Sequence, residues 1–245
     1  MPRKSETDLK SVKAITKSIA RIVTPTPAGE GVFSTIAIHP FIESMFWFER
    51  AYKDGNDLTD YLFTKDGLYD EWIEEFSKMV DNRKDLTSVY ILWRTPWKLT
   101  FMKMCGEYLS EKDYAEYLAD AWVVEENPNM DVNVSREEAI EMFKSVKKHY
   151  LMDKEDLEYW KKLPEEVELW RGVSKRRVDL GLSWTDDREK AEWFMNRFKE
   201  SSEGEMKLLK VVAPKKHCIA YFNTRGEKEV LLDVFAIEDK IERVM

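Results

Sequence analysis

The apolar residues change their period near Pro164, and this change limits the fold more than any other feature of the chain. From about residue 42 to residue 162 they recur mostly at helical spacing. After Pro164 they fall into short alternating or unbroken runs, EVELWRGV, EMKLLKVVA, HCIAYF, EVLLDVFAI and KIERV, each of which predicts a strand. One helical stretch, DDREKAEWFMNRFKE, interrupts them, with Thr185 or Asp186 as its cap and helix predicted over 187–199. The fold class expected is α+β. It divides into a basic amphipathic helix over 1–23, a helical region over 24–163 and a compact, mainly β unit over 164–245.

The helical part carries its own punctuation. Ser110 and Asp113 open SEKDYAEYLADAWVV as a capping box with Asp in place of Glu, and Tyr114, Tyr117, Leu118 and Ala121 then share a face. Ser135 and Glu138 repeat the device, followed by the stripe Ile140, Phe143 and Val146. Between the two lies ENPNMDVNV, whose Asn127, Asn129 and Asn133 are turn chemistry. In the first helix Leu9, Val12, Ile15, Ile19 and Ile22 keep helical spacing, while Arg3, Lys4, Lys10, Lys13, Lys17 and Arg21 outnumber Glu6 and Asp8. The favoured reading is a helix packed on the body with a solvated basic face; the alternative is an arm for a partner or nucleic acid. TPTPAGEG, at 24–31, ends it. In YILWRTPWKLTFMKM, at 90–104, Arg94, Lys98 and Lys103 alternate with Trp93, Trp97 and Phe101. That interleaving suits stacking on bases, but its density of apolar residues favours a buried segment with snorkelling basic ends.

Net charge is -8, which argues against a general electrostatic grip on nucleic acid. No apolar run reaches 18 residues, so no membrane span is expected, and MPRKSETDLK lacks the apolar core of a secretory signal. Cys105 and Cys218 have no metal-ligand spacing, and His39, His149 and His217 are isolated from one another. The expectation is a soluble, reduced, cytoplasmic protein with no membrane partner and no metal.

Three polar stations stand on or beside the strands of the last third. Arg171 and Gly172 follow one strand's apolar residues: the arginine can grip a phosphate with two prongs, and the glycine lets a ligand approach the backbone. Ser183 and Thr185 end a short strand and, by alternation, point the same way. Glu227 and Glu229 precede the run Val230, Leu231, Leu232 and, in a strand, also share a face at some cost in repulsion. Taken singly, each station has an ordinary structural reading as an ion pair, a cap or a solvated edge.

In order and spacing the three stations resemble the Arg-Ser-Glu branch of the ADP-ribosyltransferase superfamily. That branch holds the C3-like and binary toxins, cholera toxin and the vertebrate arginine-modifying ectoenzymes. The matching residues are Trp170-Arg171-Gly172, Ser183-Trp184-Thr185 and Glu227-Lys228-Glu229-Val230-Leu231-Leu232, within about residues 165–245. The first motif has Trp where the family usually has Tyr or Phe. The resemblance implies a split β-sandwich core around a cleft for NAD, the co-substrate, whose bond to nicotinamide is broken through an oxocarbenium sugar. It implies that Glu229 accepts a hydrogen bond from the ribose 2′-hydroxyl and stabilises the cation, and that Glu227 takes the proton of the attacking nucleophile. Ser183 would orient Glu229 and, with Thr185, help to hold NAD. Arg171 would bind a phosphate and the Gly172 backbone the nicotinamide amide. Tyr221, Phe222 and Arg225, around the turn NTRG, would touch the acceptor.

The resemblance therefore implies an NAD-dependent mono-ADP-ribosyltransferase acting on a macromolecule, either a protein arginine or a nucleic-acid base. Its context looks like a bacterial or phage effector or an intracellular toxin, which would need a neutralising antitoxin or inhibitor. Two alternatives use the same residues: an NAD glycohydrolase with water as acceptor, and a silent transferase fold that acts as a binding module.

Overall fold

The computed structural model describes residues 3–22, 45–46, 52–53, 56–57, 68–131, 133–175, 177–197 and 204–245, and the breaker at 24–31 lies outside them. The chain forms two compact units. One comprises Met1–Tyr117, Val124–Glu126 and Asp131–Val134; the other comprises Leu118–Val123, Asn127–Met130 and Ser135–Met245.

The first unit is mainly helical among its described residues. Asp8 accepts hydrogen bonds from the backbone N–H and the hydroxyl of Ser11, and so starts α1 (Leu9–Ile22). Val12, Thr16, Ile19 and Ala20 of α1 are buried, while Lys13 and Lys17 reach Asp81 at the end of α2 (Leu68–Asn82). The basic helix is therefore packed into its unit by an apolar stripe, as the favoured reading of it has it. Between α1 and α2, β1 (Tyr52–Lys53) and β2 (Asn56–Asp57) pair as a short hairpin within the span assigned to helix.

The basic-aromatic segment forms this unit's core. It runs through α3 (Leu86–Tyr90) and α4 (Lys98–Cys105). Trp93, Trp97 and Phe101 have no exposed surface, and Trp93 meets Phe46 and Phe101 edge-on at 4.9 and 5.4 Å. Buried Lys98 donates to the Tyr90 carbonyl at 2.8 Å and lies 3.4 Å from that ring's centroid. The rings are interior, as the density of apolar residues favours, and no stacking platform for exposed bases is formed. Ser110 caps α5 (Glu111–Val124), accepting from the Asp113 N–H. Asp113 is too short to reach back, and the Thr7 hydroxyl takes that place: it accepts from the Ser110 N–H at 2.8 Å and donates to the Asp113 carboxylate.

The second unit begins upstream of Pro164. α6 (Arg136–Lys144) opens with the expected Ser135–Glu138 capping box and buries Ile140 and Phe143; Val146, just past its end, is buried too. α7 (Lys148–Leu151) and α8 (Lys154–Lys162) follow. These helices cover a strand of the sheet: Lys148 donates to the Ile219 carbonyl and Trp160 Nε1 to that of Cys218. The change of period at Pro164 thus marks a change of local structure, while the packing boundary lies some thirty residues earlier.

The sheet contains β3 (Glu166–Val173), β4 (Ser183–Thr185), β5 (Lys207–Pro214), β6 (Cys218–Phe222), β7 (Glu229–Leu232) and β8 (Glu242–Arg243), in the order β6-β7-β4-β3-β5-β8 and antiparallel throughout. The α+β class is as expected. The halves β6-β7-β4 and β3-β5-β8 are joined at a single residue pair, Trp170↔Thr185. The expected strand EVLLDVFAI is shorter than its pattern implies. It ends at Asp233, whose carboxylate pairs with Lys144 at 2.7 Å, and Val234–Lys240 turns into 3-10 helix. α9 (Arg188–Asn196) lies between β4 and β5 in the chain. Its cap is Asp187, which accepts from the Lys190 N–H, rather than Thr185 or Asp186. Among the described residues no helix is long and apolar enough to cross a membrane.

Candidate active site

The three stations converge on the adjacent strands β3, β4 and β7. Trp170 pairs with Thr185 and Thr185 with Glu229, so Arg171, Ser183 and Glu229 lie within a few residues of the seam between the two halves of the sheet. Arg171 is buried, and all three guanidinium nitrogens donate to main-chain carbonyls: Nε to Asp179 at 3.2 Å, Nη1 to Ser183 at 2.8 Å and Nη2 to Val178 at 2.9 Å. It therefore binds the 178–183 loop to β3, leaving one further hydrogen on each Nη for any other acceptor. Burial lowers its pKa to about 10, against the favourable charge of Glu229. Gly181 makes this possible, because a Cβ there would lie 2.1 Å from Arg171 Nη2.

Glu229 opens β7 and is half-buried. Desolvation pushes its pKa up; hydrogen bonds from Ser183 and Trp122 oppose this, Glu227 adds repulsion and Arg171 offsets it. Trp122 Nε1 donates to Glu229 Oε1 at 2.8 Å. Ser183 Oγ in turn accepts from Asn129 Nδ2 at 3.1 Å, and Asn129 Oδ1 accepts from the Leu182 N–H at 2.5 Å. The arrangement is a carboxylate whose proton affinity burial raises, while the neutral donors around it favour its ionised form.

Glu227 stands apart from this arrangement. The strand begins only at Glu229, and Lys228 has a φ of 50°, so the alternation expected to point both acids the same way does not operate. The cause is the turn before it. Gly226 has a φ of +66° and donates to the Asn223 carbonyl, and Lys228 N–H bonds Asn223 Oδ1 at 3.1 Å. Glu227 instead pairs with Arg225 at 3.0 Å, while Arg225 Nη1 donates to the Val123 carbonyl at 2.8 Å.

Other assigned residues have structural tasks. Gly172 was read as giving room for a ligand; a Cβ there would lie 1.8 Å from the Ala191 carbonyl oxygen and 2.5 Å from Met195 N, so its open side is filled by α9. Thr185 is buried, and its hydroxyl accepts from the Asp187 N–H at 3.2 Å at the turn into α9. Tyr221 and Phe222 are core residues: Tyr221 stacks on Tyr159 at 4.2 Å and Phe222 lies 6.3 Å from Phe143. Their assignment to acceptor contact is corrected, because neither ring is open to a macromolecule. Exposed Arg225, with Asn223, Thr224 and Gly226, forms the accessible turn beside Glu227.

No family model, no curated protein and no solved structure matches this chain. Among the described residues no group of three or more His, Cys, Asp or Glu side chains is placed to hold a metal ion.

Trp122 and Asn129 are the partners that the reading of sequence motifs missed. Trp122 follows Ala121 on α5 as an ordinary core aromatic, and Asn129 sits in a Pro-containing loop as ordinary turn chemistry. The only available signal was weak: a loop with three asparagines close to a tryptophan.

Proposed function

We propose that this chain is an NAD-dependent mono-ADP-ribosyltransferase of the Arg-Ser-Glu type, with a split β core around the NAD cleft. The observation that carries the reading is the meeting of Arg171, Ser183 and Glu229 around one seam of the sheet, where the Ser183 carbonyl accepts from Arg171 and Thr185 pairs with Glu229. In the reaction the bond between C1′ of the ribose and the nicotinamide nitrogen breaks, and its electron pair leaves with nicotinamide. Glu229 accepts from the 2′-hydroxyl and faces the oxocarbenium. The acceptor's lone pair then bonds C1′, and its proton passes to Glu227.

The Arg225–Glu227 pair supports a guanidinium as acceptor. It sets a guanidinium nitrogen 3.0 Å from the proposed base, the contact that an acceptor arginine would make after displacing Arg225. Of the remaining roles, Arg171 serves first as the scaffold of the cleft, and its two free N–H groups are what it offers a phosphate.

The test uses NAD labelled in nicotinamide and, separately, in adenine, with agmatine as a soluble guanidinium acceptor. Release of nicotinamide with label entering agmatine is the expected result. Glu229→Gln should lower both by about 10²–10³. A folded wild-type protein that releases no nicotinamide, or a fully active Glu229→Gln, would end this reading.

A further inference from the structure

We propose that Trp122 and Asn129, both outside the stretch that carries the three motifs, are positioning residues for Glu229: together they determine which donors its carboxylate meets and which way it faces. The proposal rests on the reading of Glu229 as the group that faces the sugar.

The geometry of Asn129 decides the direction of the Ser183 hydroxyl. The Leu182 N–H donates to one end of the Asn129 amide, so that end is Oδ1 and the end facing Ser183 is Nδ2. An amide nitrogen only donates, so Ser183 Oγ must accept there, and its single proton is left for Glu229. Without Asn129 the hydroxyl is a free rotor. Trp122 acts directly. An indole N–H is a donor only, and it occupies Glu229 Oε1 at 2.8 Å. The indole itself cannot swing: Trp122 is 1% exposed and stands edge-on to Phe143, with 5.4 Å between centroids and 89° between planes. The bonds from Trp122 and Asn129 span 107 and 54 residues of chain, which fixes the carboxylate from α5 and from the loop that follows it.

Trp122 and the Ser183 hydroxyl that Asn129 orients both favour the ionised carboxylate over the acid. The other groups acting on Glu229 are Glu227, which opposes ionisation and is itself held by Arg225, and Arg171, which assists it. Residues that merely filled space would leave the titration of Glu229 where it is. Residues that position it would not.

The experiment is a titration of the ligand-free protein, carboxyl-labelled with ¹³C at glutamate and followed by NMR, with Glu229→Gln used to assign the signal. In Trp122→Phe and in Asn129→Ala the Glu229 midpoint should rise by about one pH unit. The acid limb of nicotinamide release should rise by the same amount, with the rate recovering at higher pH. An unmoved Glu229 midpoint in the two variants overturns the proposal. If Trp122→Phe does not fold, Asn129→Ala decides alone, and an unmoved midpoint there is sufficient refutation. If the wild-type protein releases no nicotinamide, the transferase reading falls, while the titration still decides whether the two residues orient the carboxylate.

Discussion

Glu125 is the most exposed to test of the charged groups in the first unit, because it is buried with nothing to bond. It is 5% accessible, and among the described residues neither carboxylate oxygen has a hydrogen-bond partner. Burial, with a smaller push from the Asp131 carboxylate, raises its pKa from 4.5 to about 9. The sign follows from linkage. Between those two values the folded chain keeps a proton that the unfolded chain releases, so stability falls as pH rises through the window and levels off above it. Each pH unit inside the window costs at most about 1.4 kcal/mol, so from pH 5 to pH 7 the loss is up to about 3 kcal/mol. Glu125→Gln keeps the shape and removes the titration. Its stability relative to wild type should be lowest near pH 5, at the bottom of the window, and should climb by about 2–3 kcal/mol by pH 7. Urea denaturation followed by tryptophan fluorescence at pH 5, 6, 7 and 8 measures this, read on the transition that reports the first unit. The difference between the two curves is the test, because the buried amide carries an unmet donor of its own that does not vary with pH. A difference constant across pH would mean that Glu125 is ionised in the folded protein, and the argument from burial would be wrong.

Two further outcomes are expected. Gly172→Ala forces a methyl group against the backbone of α9, and overpacking of this kind costs about 2–3 kcal/mol, or roughly 5–10 °C in melting temperature by calorimetry. Unchanged melting with lost NAD turnover would return Gly172 to the ligand. Glu227→Gln should cut transfer to agmatine by about 10²–10⁴ while slow release of nicotinamide to water persists, and equal loss of both would make Glu227 a support of the cleft.

Much of the second unit was legible because its elements are locally specified. The Ser135–Glu138 box, the stripe of α6 and the strands bearing Arg171, Ser183 and Glu229 all stand where their patterns place them. The meeting of the three stations needed only that their strands be neighbours. What period could not show was backbone conformation and partners distant in the chain. Lys228 in the left-handed region removes Glu227 from the strand, although the alternation of residue types there is intact. Gly172 looks the same in sequence whether a ligand or a helix fills its open side. The segment at 90–104 interleaves basic and aromatic residues, but its apolar density already favours burial, and its rings do face inward. Trp122 and Asn129 meet the site through contacts whose partners lie beyond any periodic window.

The seam at Trp170↔Thr185 has a consequence for the order in which the molecule is completed. Arg171 belongs to one half of the sheet, and Ser183 and Glu229 to the other. Of the pairings within the halves only β6 with β7 is close in the chain; β3 with β5 and β4 with β7 each span more than thirty residues. The site needs the two joined, and it needs Trp122 brought to Glu229 across 107 residues. Contacts of such separation close late, because the chain must give up its freedom before they return anything. A half-folded polypeptide can therefore carry the parts of this site without the site itself, whose assembly is one of the late events of folding.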